Sequence, residues 1–306
     1  MGQAVKFDRY GDLDVLNVVE APDSDPGPGE VAVTVVAAGI NPGEAKIREG
    51  LLHERWPASF PSGQGSDFAG RVAALGEGVS GLEVGDEVLG FTHNRASHAT
   101  RVVVAAEQVT PKPAGLSWDV AGALFVAGTT AFAAARAVSP EAGDTIAVSG
   151  AAGGVGSLVV QLLRARGVTV IGIAGPAKHD WLRSKGVIPV AYGDGLAERV
   201  RAAAPEGIDA FVDTYGSGYV DLALELGVKP DRVNTIIDFP AVEKYGVKAE
   251  GNASADTIDV LAELADLAAT GELEVPIAAT YPLARVREAF RELEGDHTHG
   301  KIVLHP

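Results

Sequence analysis

Cysteine is absent from all 306 residues, which excludes disulfides and thiolate metal sites outright. Basic residues are scarce: 25 Lys and Arg stand against 41 Asp and Glu, giving a formal net charge of −16 and a pI near 4.8. That balance argues against a nucleic-acid or anionic-membrane partner and favours solubility. No apolar run approaches the roughly 20 residues of a membrane span. The stretch Met1-Gly2-Gln3-Ala4-Val5-Lys6 lacks the pattern of a secretory signal, so a cytoplasmic location is the default expectation. There is no internal repeat and no low-complexity tract. With 46% hydrophobic residues the chain can fill globular cores, and its length suits two domains.

Glycine is plentiful, and one glycine-rich stretch organises the rest: Val148-Ser149-Gly150-Ala151-Ala152-Gly153-Gly154-Val155-Gly156-Ser157. The apolar run Thr145-Ile146-Ala147-Val148 before it reads as a strand, and Leu158 to Arg166 after it has helical spacing. A strand, a glycine turn and a helix in that order build a phosphate site. The glycines let backbone N–H groups approach a pyrophosphate, and the helix N-terminus adds partial positive charge. Such turns also occur in ordinary loops. Here two more strand–helix units follow at suitable spacing.

Residues 1–115 read as β-rich. Strands are predicted at Ala4–Phe7, Val15–Val19, Glu30–Ala38, Phe68–Leu75, Glu87–Phe91 and Ala99–Val104, separated by Gly, Pro and Asp turns. Many short strands suggest a small barrel or sandwich. Gly39 to Leu52 reads as a short helix and loop. From Ser117, a candidate N-cap, the composition turns to alanine-rich helix over Asp119–Val138. Strands at Thr145–Ser149, Val168–Ala174, Pro189–Ala191, Ala210–Asp213 and Val233–Ile237 then alternate with helices at Val155–Arg166, Lys178–Lys185, Leu196–Ala203 and Tyr219–Leu226. That alternation means a parallel, doubly wound sheet of the α/β class. A helix at Ala255–Ala269, a segment at Leu273–Tyr281, a helix near Leu283–Leu293 and a strand at Lys301–Leu304 complete the chain.

Several segments now resemble one family in its own order: Ala37-Ala38-Gly39-Ile40-Asn41-Pro42, Gly63-Gln64-Gly65-Ser66-Asp67-Phe68-Ala69-Gly70-Arg71-Val72, Gly81-Leu82-Glu83-Val84-Gly85-Asp86-Glu87-Val88, Ala127-Gly128-Thr129-Thr130-Ala131-Phe132, the 148–157 stretch and His299-Gly300-Lys301-Ile302-Val303-Leu304. The chain resembles the medium-chain dehydrogenase/reductases, in their zinc-independent, quinone oxidoreductase-like branch. The resemblance implies a GroES-like β-barrel domain over 1–117, completed by 272–306. It implies a Rossmann doubly wound domain over 118–271, with the active site in the cleft between the two. A homodimer is also implied, pairing through a late Rossmann strand such as Val233–Ile237, whose exposed edge would otherwise invite uncontrolled pairing.

Zinc-dependent members of that family place Cys where this chain has Asn41, His-Glu where it has Ser66-Asp67, and Cys or an acid near Val126. Asn, Ser and Val cannot rebuild a tight tetrahedral zinc site. The expectation is therefore no zinc and no metal site, with the pair His297 and His299 read as a solvated surface loop. Without that electrophile, hydride delivery to an already activated acceptor remains feasible, a quinone or an α,β-unsaturated carbonyl.

The strand Val168–Ala174 ends without the acid that NAD-preferring sites use on ribose hydroxyls. Ala174-Gly175 leaves room, and Lys178 lies four residues on, where NADP-using members of the family it resembles often place a lysine for the 2′-phosphate, so NADPH is expected over NADH. The alternative for Lys178 is a solvated residue in the first turn of a helix. The resemblance places Ala152, Gly153, Gly154 and Val155 on the pyrophosphate, Tyr192 near the adenosine ribose, and Ile237-Asp238-Phe239 beside the nicotinamide carboxamide. Tyr192 can equally be packing. Asp213 ends a strand near the cofactor or caps the next turn. Lys301 reaches the cofactor or stays on the surface.

The resemblance makes Asn41 and Thr130 the candidates beside the nicotinamide and the acceptor. Asn41 can donate or accept a hydrogen bond, or serve as a turn residue before Pro42. Thr130 can instead cap the following helix. Asp67 can order the site or satisfy backbone donors. Many quinone-reducing relatives carry Tyr two residues after Arg-x-Gly; after Arg48-Glu49-Gly50 this chain has Leu52, then His53. His53 can replace that Tyr as a general acid, its ordinary pKa being near neutrality, or ride a loop with Glu54, Arg55 and Trp56. The competing functional readings are an enoyl or alkenal double-bond reductase of a biosynthetic pathway and a weakly catalytic NADPH-binding sensor.

Overall fold

The computed structural model describes residues 1–295 and 298–306; His297 lies outside the described residues. The chain forms two compact units. The first contains Met1–Val126, Thr257–Glu272 and Pro276–Pro306, and the second Ala127–Asp256 and Leu273–Val275. The division expected at 117/118 thus falls later. The cause is a short helix, α2 (Trp118–Gly122), which lies on the strand β3 (Glu30–Ile40). Helix α9 (Ile258–Thr270) also groups with the first unit, packing on β8 (Val109–Pro111).

The first unit also contains β1 (Gly2–Phe7), β2 (Asn17–Ala21), β4 (Ser62–Gly63), β5 (Asp67–Leu75), β6 (Glu87–Phe91), β7 (Arg101–Ala105), β14 (Ile277–Pro282) and β15 (Lys301–His305). β2-β1-β4 make a small sheet, and β14-β15-β3-β5-β6-β8 a larger one, with β7 also on β3. β3 is apolar along most of its length, and its buried Val31, Val33, Val35 and Ala38 meet Phe68, Val72, Val88, Val102 and Val104. A second core joins Val5, Phe7, Val15 and Ile40 to Val286, Ala289 and Phe290 of the amphipathic helix α10 (Val286–Leu293). The predicted strand at Val15 starts only at Asn17, because Leu13–Val15 closes a 3-10 turn capped by Asp12. β3 runs on through Ile40, and helix α1 (Pro42–Arg48) begins immediately after Asn41.

The second unit is a five-stranded parallel sheet in the order β11-β10-β9-β12-β13. Its strands are β9 (Thr145–Val148), β10 (Thr169–Ile173), β11 (Ile188–Val190), β12 (Ala210–Asp213) and β13 (Val233–Thr235). Helices α3 (Phe125–Ala137), α4 (Gly156–Ala165), α5 (His179–Ser184), α6 (Leu196–Ala203), α7 (Tyr219–Glu225) and α8 (Phe239–Tyr245) accompany them, α3 beginning two residues before the unit does. The strands carry near-continuous apolar runs, as a sheet covered on both faces requires.

Two expectations are corrected here. β13 ends at Thr235 rather than Ile237, because the Asp238 side chain accepts from Ala241 N at 3.2 Å and starts α8, a helix that periodicity did not reveal. The outer edge of β13 is also not open. Lys248 N donates to Val233 O and Thr235 N to Lys248 O, both at 3.0 Å, while Asn234 and Glu250 exchange two further bonds. The pairing edge invoked for a dimer is covered by the chain itself.

Candidate functional site

The glycine turn after β9 is built by close approach. Gly150 has φ +57°, and Gly153 N donates to Gly150 O at 2.9 Å. A Cβ on Gly156 would lie 2.2 Å from Gly150 O, so only glycine lets α4 start against the turn. Ala152 is buried there, and Gly153, Gly154 and Val155 are half-buried at the start of α4. Gly175 and Lys178 follow β10 in a turn, Lys178 N donating to Gly175 O at 2.9 Å. Tyr192, 53% exposed, follows β11, and its ring comes within 3.5 Å of the Cβ position on Gly175. These residues all sit beyond the C-terminal ends of parallel strands. That is where open α/β sheets bind ligands, at the point where strand order reverses, here between β9 and β12.

Asp213 ends β12 at that reversal and is fully buried. Its Oδ1 accepts from Ser149 Oγ at 2.6 Å, Gly216 N at 2.9 Å and Tyr215 N at 3.0 Å, and its Oδ2 from Thr235 Oγ1 at 2.7 Å. Thr235 Oγ1 in turn accepts from Asp238 N at 3.0 Å and Ile237 N at 3.3 Å. Asp213 therefore ties three loops together from inside, and its oxygens are spent on that task. Ile237, Asp238 and half-buried Phe239 are placed by this scaffold. Ser149, Thr214 and Thr235 were not singled out from sequence. Their signal is positional: a small hydroxyl residue at or just after three successive strand ends.

The first unit holds a buried polar cluster. Asn41 precedes α1 and is 4% exposed. Its Nδ2 donates to Asp67 Oδ2 at 2.6 Å and to Glu44 Oε1 at 3.2 Å, and its Oδ1 accepts from Lys301 Nζ. This amide orientation is the chemically consistent one, since its reverse would set N–H groups against an ammonium. Both Asn41 donors thus point to buried carboxylates. Lys301, whose alternative was a surface position, is buried and also donates to Ile40 O at 2.9 Å. Asp67 satisfies a backbone donor as well, Val126 N at 2.6 Å. Glu44 Oε2 accepts from Asn41 N at 3.0 Å and lies 3.7 Å from His98 Nε2.

Burial raises Asp67 and lowers Lys301, each opposing the other's shift. One ammonium faces two carboxylates, and burial pushes the second, Glu44, up to about 7. His98 is lowered to about 4 by burial, against the pull of its hydrogen bond to Gly39 O at 3.1 Å. That bond places the proton on Nε2. Glu44 and His98 were missed in sequence: Glu44 falls within the short helix and loop read over Gly39–Leu52, and His98 just before the strand Ala99–Val104. No group of three or more His, Cys, Asp or Glu side chains suited to a metal ion occurs among the described residues.

Comparison with known proteins identifies the family. A family model described as alcohol dehydrogenase GroES-like domain matches residues 27–143, and one described as zinc-binding dehydrogenase matches residues 187–304. The quinone oxidoreductase of Pseudomonas aeruginosa is 29% identical, with 100% of each chain covered. The 2-methylene-furan-3-one reductase of Solanum lycopersicum is 30% identical, covering 99% of this chain and 79% of that one. The chain belongs to the medium-chain dehydrogenase/reductases, of quinone oxidoreductase type. Both parts of that fold, the GroES-like domain and the Rossmann-type parallel sheet, are present, and the chain is an oxidoreductase by family. The crystal structure of Escherichia coli quinone oxidoreductase complexed with NADPH superimposes with a TM-score of 0.88 at 26% identity, covering 99% of this chain and 100% of that one. A mycocerosic acid synthase-like polyketide synthase of Mycobacterium tuberculosis is 30% identical over 99% of this chain, which spans 15% of its length.

In this quinone oxidoreductase-type chain, two further candidates stand apart from the Asn41 cluster. Thr130 is buried inside α3, so the alternative of a helix cap is excluded. His53 is exposed on the turns between Gly50 and Trp56, and its Nδ1 is 2.7 Å from the Tyr10 hydroxyl, which also accepts from Ala58 N at 2.9 Å. Tyr10 lies far from His53 in sequence and was not foreseen.

Proposed function

We propose that this chain transfers hydride from NADPH to a quinone or other α,β-unsaturated carbonyl acceptor without zinc. The observation that carries the cofactor reading is the loop after β10: it has no acid, it sets Gly175 against the Tyr192 ring, and Lys178 follows in the same turn. Lys178 would hold the 2′-phosphate, and the Gly153–Val155 backbone with the start of α4 the pyrophosphate. NADPH supplies the hydride; the chain's residues supply position. The acceptor oxygen is held by Asn41 Oδ1 through a shared water or by Thr130, and solvent provides the proton that completes the reduction, with His53 a second source. Asn41 is bonded to Asp67 and to the Lys301 ammonium, which supports the zinc-free reading. The homodimer belongs to the same proposal, on a surface other than β13.

The relative from Solanum favours a second reading within this chemistry, reduction of an enone double bond for biosynthesis. A weakly catalytic NADPH sensor is the third. The test is oxidation of NADPH, with NADH in parallel, against one small quinone and one α,β-unsaturated ketone. Turnover of both with NADPH supports the proposal, turnover of the enone alone selects the second reading, and tight NADPH binding with no turnover selects the sensor. Lys178→Ala should raise KM for NADPH about 10- to 100-fold, the loss of a hydrogen bond to a charged group, and leave NADH unchanged. Equal use of both cofactors by the unaltered protein would overturn the cofactor reading. Metal analysis and retention of activity in chelator check the zinc-free part.

A further inference from the structure

We propose that Lys301 is a positioning residue, a built-in cation that fixes the Asn41 carboxamide and balances the buried carboxylates around it. The role of Asn41 in turnover rests on the function proposed above; the bracket itself does not. Lys301 opens β15, whose antiparallel register pairs Ile302 with Ile40 and so sets Lys301 beside Asn41. Its backbone is pinned as well, Lys301 N donating to Pro276 O at 2.8 Å. The ammonium donates to Ile40 O and Asn41 Oδ1 and attracts both Asp67 and Glu44. Asn41 is thereby held at both ends: a cation on its oxygen and two carboxylates on its nitrogen.

A buried ammonium is costly unless paired, and here each partner depends on it. Without Lys301, Asn41 Oδ1 loses its donor, and the carboxamide is held from its nitrogen alone. The carboxamide can then turn its oxygen away from the acceptor. Glu44 also loses the cation that favours its charged form. The charged and titratable groups facing Glu44 are Lys301 from β15, Asp67 from β5 and His98 from the segment before β7.

The experiment follows the Asn41 side-chain amide by NMR in selectively 15N-Asn-labelled full-length protein, alongside NADPH oxidation. In the unaltered protein that amide signal titrates with Glu44 and with Asp67, and in Glu44→Gln the Glu44 step disappears. In Lys301→Met the midpoint rises. Turnover in that variant falls at least about tenfold, the weight of one hydrogen bond to a charged group, while KM for NADPH holds. In Lys301→Ala, added propylammonium restores part of the turnover, which a merely structural defect would not allow. An unmoved midpoint in Lys301→Met overturns the bracket. If both Lys301 variants fail to fold, Lys301→Gln, which keeps a donor without the charge, is read in the same way, and an unmoved Glu44 midpoint there overturns the bracket instead. If the unaltered protein oxidises no NADPH while the midpoint moves as stated, the functional reading fails and the bracket stands.

Discussion

Glu44 is the residue that should write a pH signature on this protein. Its carboxyl is raised from 4.5 to about 7 by burial, so between those values the folded state keeps a proton that the unfolded chain has lost. Stability contributed by Glu44 is therefore full below about pH 4.5 and is lost as pH rises to about 7. His98 has the opposite sign. Lowered from 6.5 to about 4, it contributes stability that is lost as pH falls through that window. The two oppose each other where they overlap, so total stability is a poor probe. The difference between Glu44→Gln and the unaltered protein isolates one of them. Urea midpoints should converge near pH 4.5, with the variant gaining as pH rises to 7; a difference that is flat with pH would exclude a raised Glu44.

At the scale of elements, the strand–turn–helix unit β9–α4 depends on a helix starting against its own turn. Gly156→Ala would bring a Cβ within 2.2 Å of Gly150 O and 3.0 Å of Ala151 Cα. The expected result is a loss of about 1 to 3 kcal/mol from overpacking, with a larger loss in NADPH affinity as the N–H groups turn away. Denaturation and fluorescence titration check both. In the first unit, Arg48 ends α1 with no exposed side-chain surface. It donates to Gly11 O, Glu49 and Glu294 and lies 5.8 Å over the Phe290 ring. It clamps α1 to α10 and to the turn before β2. Arg48→Ala should cost about 3 kcal/mol, the lower end for breaking a buried pair, because both glutamates keep access to water. Calorimetry showing a change within error would remove Arg48 from that role.

For the molecule as a whole, the covered edge of β13 bears on assembly. An open edge strand invites pairing; this one is already bonded to Lys248 and Glu250. Light scattering should find a dimer that survives Asn234→Ala, a substitution that loosens that edge cover. A monomer in both proteins would remove the dimer, and dissociation caused by Asn234→Ala would return the interface to β13. The net charge of −16 also predicts that any dimer tightens as salt screens the repulsion between copies.

Sequence alone determined the fold class, the glycine turn and the acid-free loop with Lys178, because each rests on local pattern: periodicity, a motif within ten residues, a residue type at a strand end. Tertiary structure alone decided how the Asn41 carboxamide is held, that Lys301 is buried, that Asp213 is consumed by three loops, and that Glu44 and Tyr10 pair with Asn41 and His53. Those facts depend on partners far apart in the chain, 260 residues in the case of Asn41 and Lys301. Hydrogen-bond donors are finite, so which of them remain for chemistry is settled only when the register of β15 on β3 brings the two ends of the first unit together.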